Sequence, residues 1–187
     1  MCIGISMVIK ETVIEPYWIP GNNSHTDIRD KYGIPDGVGY PSLPVECIPT
    51  GVLTEPEAWE YRVDIQDTLP DWYTASAGEY EAACMRVCRR IVREIAEAGK
   101  YDGPLNLGGT PITSLGALTS VGGDLKLGGT PITSLGALTS VGGDLYLYGT
   151  PITSLGALTS VGGDLYLGGT PISQIDTGDI VKGIVYR

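Results

Sequence analysis

Between residues 105 and 173 the hydrophobic positions fall in one pattern that returns every 20 residues. In the copy that starts at Leu125 they are Leu125, Leu127, Ile132, Leu135, Leu138 and Val141, within the unit LKLGGTPITSLGALTSVGGD. The copy before it opens LNL, the next opens LYLYGT, and the last opens LYLGGT and leaves the pattern after Ile172. A fixed period of this length predicts a solenoid, in which each unit covers the apolar face of its neighbour. Leu125 and Leu127, two apart, predict a short strand with both side chains inward. The wider spacings that follow are broken by Pro131, Gly136, Gly142 and Gly143, which exclude a helix and predict a tight irregular return path. Six apolar side chains contribute roughly 10 kcal/mol if fully buried, whereas ordering twenty residues costs on the order of 20–30 kcal/mol. A single coil cannot stand, so stacking is obligatory.

The first hundred residues lack the repeat and predict a separate small α+β domain. Cys2–Ile9 and Val13–Ile19 read as strands joined near Glu11 and Thr12. A short helix follows, capped by Ser24, with Asp27 in the capping-box position, Ile28 and Tyr32 on one face and Gly33 as the stop. A Pro/Gly-rich loop runs from Ile34 to Pro44, and Val45–Ile48 forms a further strand. Trp59, Tyr61, Val63 and Ile65 alternate with polar residues, the mark of a half-buried strand. The long helix spans 77–98, with Ser76 and Glu79 as its capping box and Tyr80, Cys84, Val87, Cys88, Ile91 and Ile95 as its apolar stripe. Gly99 ends it and delivers the chain into coils over 101–173. The long helix and the tail after residue 173 are expected to cap the two ends of the solenoid, the tail through Ile175, Ile180, Val181, Ile184 and Val185.

The positions Leu125, Leu127, Ile132, Leu135 and Leu138 resemble the short, 20-residue bacterial form of the leucine-rich repeat. Thr110, Thr130, Thr150 and Thr170 stand where that family has Asn, so the resemblance implies a ladder of hydroxyls in place of amides. Val121, Val141 and Val161 fall one residue early against the family pattern. The resemblance also implies that the strand positions Asn106, Lys126, Tyr146 and Tyr166, with Tyr148 two residues further on, face a ligand. The N-terminal half is similar to an uncharacterised group of short bacteriophage proteins, on the pieces MCIGIS, YWIPGNNSH, VECIPTG, WEYRVD and LPDWY. That similarity implies a phage or mobile-element accessory protein acting in bacterial cytoplasm.

Charge changes the picture in one respect. The chain carries 22 acidic and 12 basic residues, a formal net charge of −10. Such acidity argues against direct nucleic-acid binding and suits solubility or a basic protein partner. Four cysteines without a CxxC, and a single histidine, argue against a His/Cys zinc site and point to a reduced, cytosolic setting. The opening MCIGISMVIK lacks a basic lead and is too short for a signal peptide, and no segment has the length of a membrane span.

Candidate chemistry is sparse. Asn106, Lys126, Tyr146 and Tyr166 mark one position of successive copies, and Gly108, Gly128, Tyr148 and Gly168 another. Coils about 4.8 Å apart would gather Tyr146, Tyr148 and Tyr166 into one aromatic patch, and tyrosine is a favoured interface anchor. Asp124, Asp144 and Asp164 would stack as well, needing a cation or N–H groups to offset their repulsion, and read as a solvated turn without metal. Arg86, Arg89, Arg90 and Arg93 form a second candidate surface, or pair with nearby carboxylates. Cys2 begins a stretch resembling the MCGI opening of glutamine amidotransferases, whose N-terminal cysteine is the nucleophile. In that reading His25 is the base, oriented by Asp27 or Asp30. GGTP and VGGD are not phosphate loops, and no cofactor is expected.

The expectation is therefore an α+β domain followed by a leucine-rich-repeat-like β-solenoid, without catalysis, recognising a protein partner, in the phage reading a host protein such as a defence component. The two rivals are an amidohydrolase-like enzyme using Cys2 and His25, and a virion-associated structural protein that self-associates through the solenoid edges.

Overall fold

The computed structural model describes residues 4–35, 41–65, 68–172 and 178–187. In the N-terminal region, strands β1 (Ile5–Lys10), β2 (Val13–Tyr17), β3 (Ser42–Pro49) and β4 (Trp59–Val63) form an antiparallel sheet in the order β2-β1-β3-β4. Helix α1 (His25–Tyr32) lies between β2 and β3 in the chain, and a single turn α2 (Asp71–Thr74) leads into the long helix α3 (Ala77–Ala98). Alternation along the strands assigns the two faces of the sheet. Ile5, Met7, Ile9, Leu43, Val45 and Cys47 share one core with the whole predicted stripe of α3. On the opposite face Val8 packs with Ile28 of α1 and with Ile34.

The cap and the stop of α1 form as expected, but the return arm of the capping box does not: the Ser24 N–H donates to Asn22 Oδ1 at 2.7 Å, and Asp27 accepts from Asn22 instead. Ser24 Oγ accepts from the Asp27 N–H at 3.2 Å, and Gly33 adopts the left-handed conformation. The capping box expected at Ser76 does not form: its side chain makes no cap hydrogen bond. The reason is local. Turn α2 runs through Ala75 directly into α3, so Ser76 has ψ near 24° instead of an extended backbone, and its carbonyl takes the Glu79 and Tyr80 N–H groups. The loop expected over Ile34–Pro44 is also shorter than read, because β3 already begins at Ser42.

The C-terminal region is a parallel β-solenoid of about four turns built from 20-residue coils. Its strands are β5 (Lys100–Tyr101), β6 (Leu105–Asn106), β7 (Ser120–Val121), β8 (Leu125–Lys126), β9 (Ser140–Val141), β10 (Leu145–Tyr146), β11 (Ser160–Val161), β12 (Leu165–Tyr166) and β13 (Val185–Tyr186). They form two parallel sheets, β6-β8-β10-β12-β13 and β5-β7-β9-β11. The valines that fall early against the leucine-rich pattern are the inward residues of this second sheet. The leucines and isoleucines of the repeat, with Val121, Val141 and Val161, are all nearly fully buried.

The tail continues the coil pattern beyond the visible repeat. Val181 bridges to Val161, and Val185–Tyr186 pairs with Leu165–Tyr166, both offset by 20 residues. Ile180, Val181 and Val185 are partly buried against the core as expected. Ile184 is not: it takes the corner place of Asp164, points outward and is 59% exposed. Ile175 lies outside the described residues. At the other end, Gly4 N–H donates to Asn106 O at 2.7 Å, and the Gly51–Thr54 loop runs along the first coil through Leu53 N–H to Ser114 O and Thr113 N–H to Gly51 O. One continuous apolar core connects the N-terminal sheet, α3 and every coil.

The corner VGGD is where the coils approach most closely. Asp144 N–H donates to Asp124 Oδ1 at 3.0 Å, Asp164 N–H to Asp144 Oδ1 and Ile184 N–H to Asp164 Oδ1, both at 2.8 Å. A Cβ on Gly143 or Gly163 would overlap the aspartate oxygen of the preceding coil, and one on Gly142 or Gly162 would overlap a backbone carbonyl. The Asp column is thus tied to backbone N–H groups, one coil to the next, while its side chains stay part-exposed at the turn.

Gly143→Ala is expected to destabilise the protein by about 1–3 kcal/mol, because the neighbouring backbone cannot yield. Gly128→Ala, whose Cβ would first meet the exposed and movable Tyr148 ring, is expected to cost under about 1 kcal/mol. Equal urea midpoints for the two variants would contradict this account of the corner.

Candidate functional site

The sheet β6-β8-β10-β12-β13 turns its even-numbered side chains outward, which brings Asn106, Lys126, Tyr146, Tyr166 and Tyr186 into one column. Tyr146 and Tyr166 stack with ring centroids 4.4 Å apart and planes 4° from parallel, and Tyr166 and Tyr186 stack at 4.7 Å and 6°. Lys126 Nζ sits 5.1 Å from the Tyr146 ring centre and closes the near face of the stack. Tyr186 belongs to this stack and is missing from the sequence reading. It lies in the tail, where only the 20-residue offset from Tyr166 signals its place.

The expected single patch of Tyr146, Tyr148 and Tyr166 needs correction. Tyr148 is not stacked on another ring: it lies over Gly128 of the preceding coil, whose missing side chain makes room for it. It is 52% exposed and projects beyond the rigid column. Tyr146 and Tyr166 present their edges, since their faces are taken by Lys126, by one another and by Tyr186, which ends the stack. The Tyr146 hydroxyl donates to Asp144 Oδ2 at 3.0 Å, and that of Tyr166 to Asp164 Oδ2 at 3.4 Å. Burial and then the hydrogen bond to Asp144 push the Tyr146 phenol above its ordinary range, so it stays a neutral donor. The arrangement offers a pre-ordered, flat surface with one protruding aromatic side chain.

The implied hydroxyl ladder is also corrected. Thr110, Thr130 and Thr150 donate to the carbonyls of Leu107, Leu127 and Leu147, each at 2.7 Å within its own coil. They close the turn after the strand and do not connect coils. The ladder that does connect coils is elsewhere: Thr119 to Gly99 O, Thr139 to Thr119 O and Thr159 to Thr139 O.

The arginines of α3 are largely engaged. Arg86 pairs with Glu15 at 2.6 Å, Arg89 with Glu57 at 3.0 Å, and Arg90 lies over the Trp18 ring and 3.9 Å from Glu94. Arg93 is exposed. Beside this helix a cleft of about 330 Å³ is bounded by Ile5, Trp18, Ile91, Ile95, Tyr101 and the rim residue Glu94. It joins three remote segments, and no local pattern announces it.

The enzyme reading pairs Cys2 with His25, but Cys2 lies outside the described residues. His25 is the first residue of α1 and is buried. Its Nε2 faces Val45 O at 3.1 Å and its Nδ1 faces Asp64 at 3.8 Å. Asp27, expected to orient the ring, instead accepts from Asn22 Nδ2 at 2.7 Å, and Asp30 is exposed on the helix. The carboxylate at the ring is Asp64, which comes from beyond β4 and is 39 residues away in sequence.

Among the described residues no helix is long and apolar enough to cross a membrane. Comparisons of the chain with protein families, with characterised proteins and with solved structures find no match.

Cys47, Cys84 and Cys88 are fully buried between the sheet and α3. A hydrogen bond with Cys88, together with burial, raises the Cys47 thiol well above its ordinary value, and burial raises Cys84. In the native protein these three are expected to resist a thiol-exchange reagent for hours, leaving at most one reactive equivalent, from Cys2, which a Cys2→Ser variant removes. Rapid titration of two or more thiols without denaturant would contradict the packing described.

Proposed function

We propose that the protein is a non-catalytic recognition protein whose contact surface is the outward column of the five-stranded solenoid sheet with Tyr148. The observation that carries this reading is where the copies differ. The three complete units agree at 18 of their 20 positions and differ only at 106/126/146 and 108/128/148. Exposure alone does not explain that pattern. Thr113, Thr133 and Thr153, and Ala117, Ala137 and Ala157, are exposed in every copy and yet unchanged. Undirected change after duplication would reach those positions as readily. Instead the differences gather on one face, and they add tyrosine or lysine there. Tyrosine provides large contact area at small entropy cost, and the stack and its Asp bonds fix the rings before any partner arrives.

The partner this surface suits is a protein with a flat polar face and a pocket for one aromatic side chain, Tyr148. The resemblance of the N-terminal half to bacteriophage proteins adds the inference that the partner is a host bacterial protein, a defence component among them. The resemblance to leucine-rich repeats supports the same face.

The test is capture from bacterial lysate with three baits: wild type, the Tyr146/Tyr148/Tyr166→Ala variant, and a Thr113/Thr133/Thr153→Ala variant that alters an exposed lane outside the surface. Circular dichroism confirms that each bait is folded. The expected result is a protein held by wild type and by the threonine variant and lost by the tyrosine variant. With the purified partner, Tyr148→Ala alone should weaken binding about 30-fold, a loss of about 2 kcal/mol. Equal capture by all three folded baits would overturn the assignment.

A further inference from the structure

We propose that His25, Glu46 and Asp64 form a binding site for a divalent transition-metal cation of the zinc type. The three residues come from three separate segments: the first turn of α1, the middle of β3, and the residue that follows β4. Their donor atoms lie within 4.8 Å of one another, and the His25 Nδ1 to Asp64 Oδ2 distance is 3.8 Å.

The hydrogen bond on the far side of the ring decides the chemistry. Val45 O can only accept, so His25 Nε2 must carry a hydrogen. Nδ1 is then the nitrogen free of that bond and faces Asp64 Oδ2 at 3.8 Å, while a Glu46 oxygen completes the cluster within 4.8 Å. An imidazole held by a backbone carbonyl through one nitrogen, with the other facing acidic oxygens, is the arrangement that orients metal-binding histidines. Two carboxylates around a ring nitrogen call for positive charge between them, either a proton on the ring or a cation.

Burial raises the demand for that charge. Glu46 is 1% exposed and His25 7% exposed, and a desolvated carboxylate is costly without compensation. Arg62 pairs with Glu46, but its own side chain is half exposed. A divalent ion beside Glu46 and Asp64 would add positive charge to that supplied by Arg62. One nitrogen and two oxygen donors suit zinc, manganese or cobalt better than calcium or magnesium, which prefer oxygen alone.

The ligand shell is open on one side. The Asp64 side chain is 45% exposed, which gives an ion a route in and leaves coordination positions for water. Metal–donor distances of about 2.0–2.2 Å require the donors to draw inward, and rotation of the half-exposed Asp64 supplies that movement. The single histidine, which argued against a His/Cys site from sequence, is here joined by carboxylates. The bound ion would tie the start of α1 to β3 and to the end of β4.

The test is calorimetric titration of the chelator-treated full chain with zinc chloride, beside the variants Asp64→Asn and His25→Asn, together with the optical spectrum of the cobalt-loaded protein. Asp64→Asn changes a half-exposed group without altering its size, so it remains informative if His25→Asn does not fold. The expected result is one zinc per chain in the wild type, affinity at least tenfold weaker in Asp64→Asn, and a cobalt spectrum without thiolate charge-transfer bands. No zinc uptake by the wild type at millimolar concentration would overturn the proposal. Undiminished uptake in a folded Asp64→Asn, or thiolate bands that place the ion on a cysteine, would overturn it as well.

Discussion

The fold of the C-terminal half depends on one repeated contact: an aspartate at the corner of each coil that accepts a backbone N–H from the coil after it. A coil of this size buries too little apolar surface to offset its own ordering, so its stability must come from neighbours. The Asp124, Asp144 and Asp164 bonds fix the offset between coils at 20 residues. The glycines beside them let the backbones come close enough for those bonds to form. Three negative charges in a row would otherwise repel. Here each has an N–H on one oxygen, and Asp144 and Asp164 also have a phenol on the other. The same aspartates thereby hold the tyrosines of the outward column, so the contact that sets the stacking also stiffens the candidate surface.

A stack of coils has two ends, and each exposes unpaired backbone. The N-terminal region closes one of them with directed hydrogen bonds, not with apolar cover alone. Gly4 reaches Asn106, and the Gly51–Thr54 loop reaches the first coil through Leu53 and Thr113. Gly4 is suited to that approach because it adopts φ 70° and because a Cβ there would overlap the Cys47 carbonyl. The helix contributes in a different way. Gly99 ends α3 in the left-handed conformation, and its carbonyl takes both the Thr119 N–H and the Thr119 hydroxyl. The helix terminus is therefore also the first rung of the second sheet.

Much of this was legible in the sequence where a physical signal is local. The period of 20 announces the solenoid because every buried position recurs at the same place. The bounds of α3 follow from Gly99 and from a stripe at helical spacing, and the cap of α1 follows from Ser24 and Gly33. What was not legible depends on partners far away in the chain or on what the backbone allows. Ser76 looks like a cap by spacing, yet the preceding turn removes the extended geometry a cap needs. Tyr148 looks like a member of the aromatic stack, yet the empty place at Gly128 draws it aside. Tyr186 was hidden because the tail keeps the coil offset after its sequence has left the repeat. The partner of His25 was hidden for a simpler reason: Asp64 reaches it only because β3 and β4 pair, with Glu46 opposite Arg62.

The two candidate surfaces draw on opposite properties of the fold. The tyrosine column owes its order to repetition. Each coil supplies one side chain at a fixed spacing, and a change at one position alters one rung while its neighbours keep the lane in place. A surface of that kind can be altered one residue at a time without endangering the core, since the positions that hold the coils together point inward or lie at the corner. The His25 cluster owes its order to convergence. Three segments that share no repeat meet on the α1 face of the antiparallel sheet, and Glu46 is buried where any substitution leaves a charge or a cavity behind. Variation is therefore cheap on the solenoid face and costly at the cluster. Tolerance alone does not place the differences among the copies, since the threonine and alanine lanes are equally exposed and unchanged; the differences fall in the strand lane, where they add tyrosine and lysine.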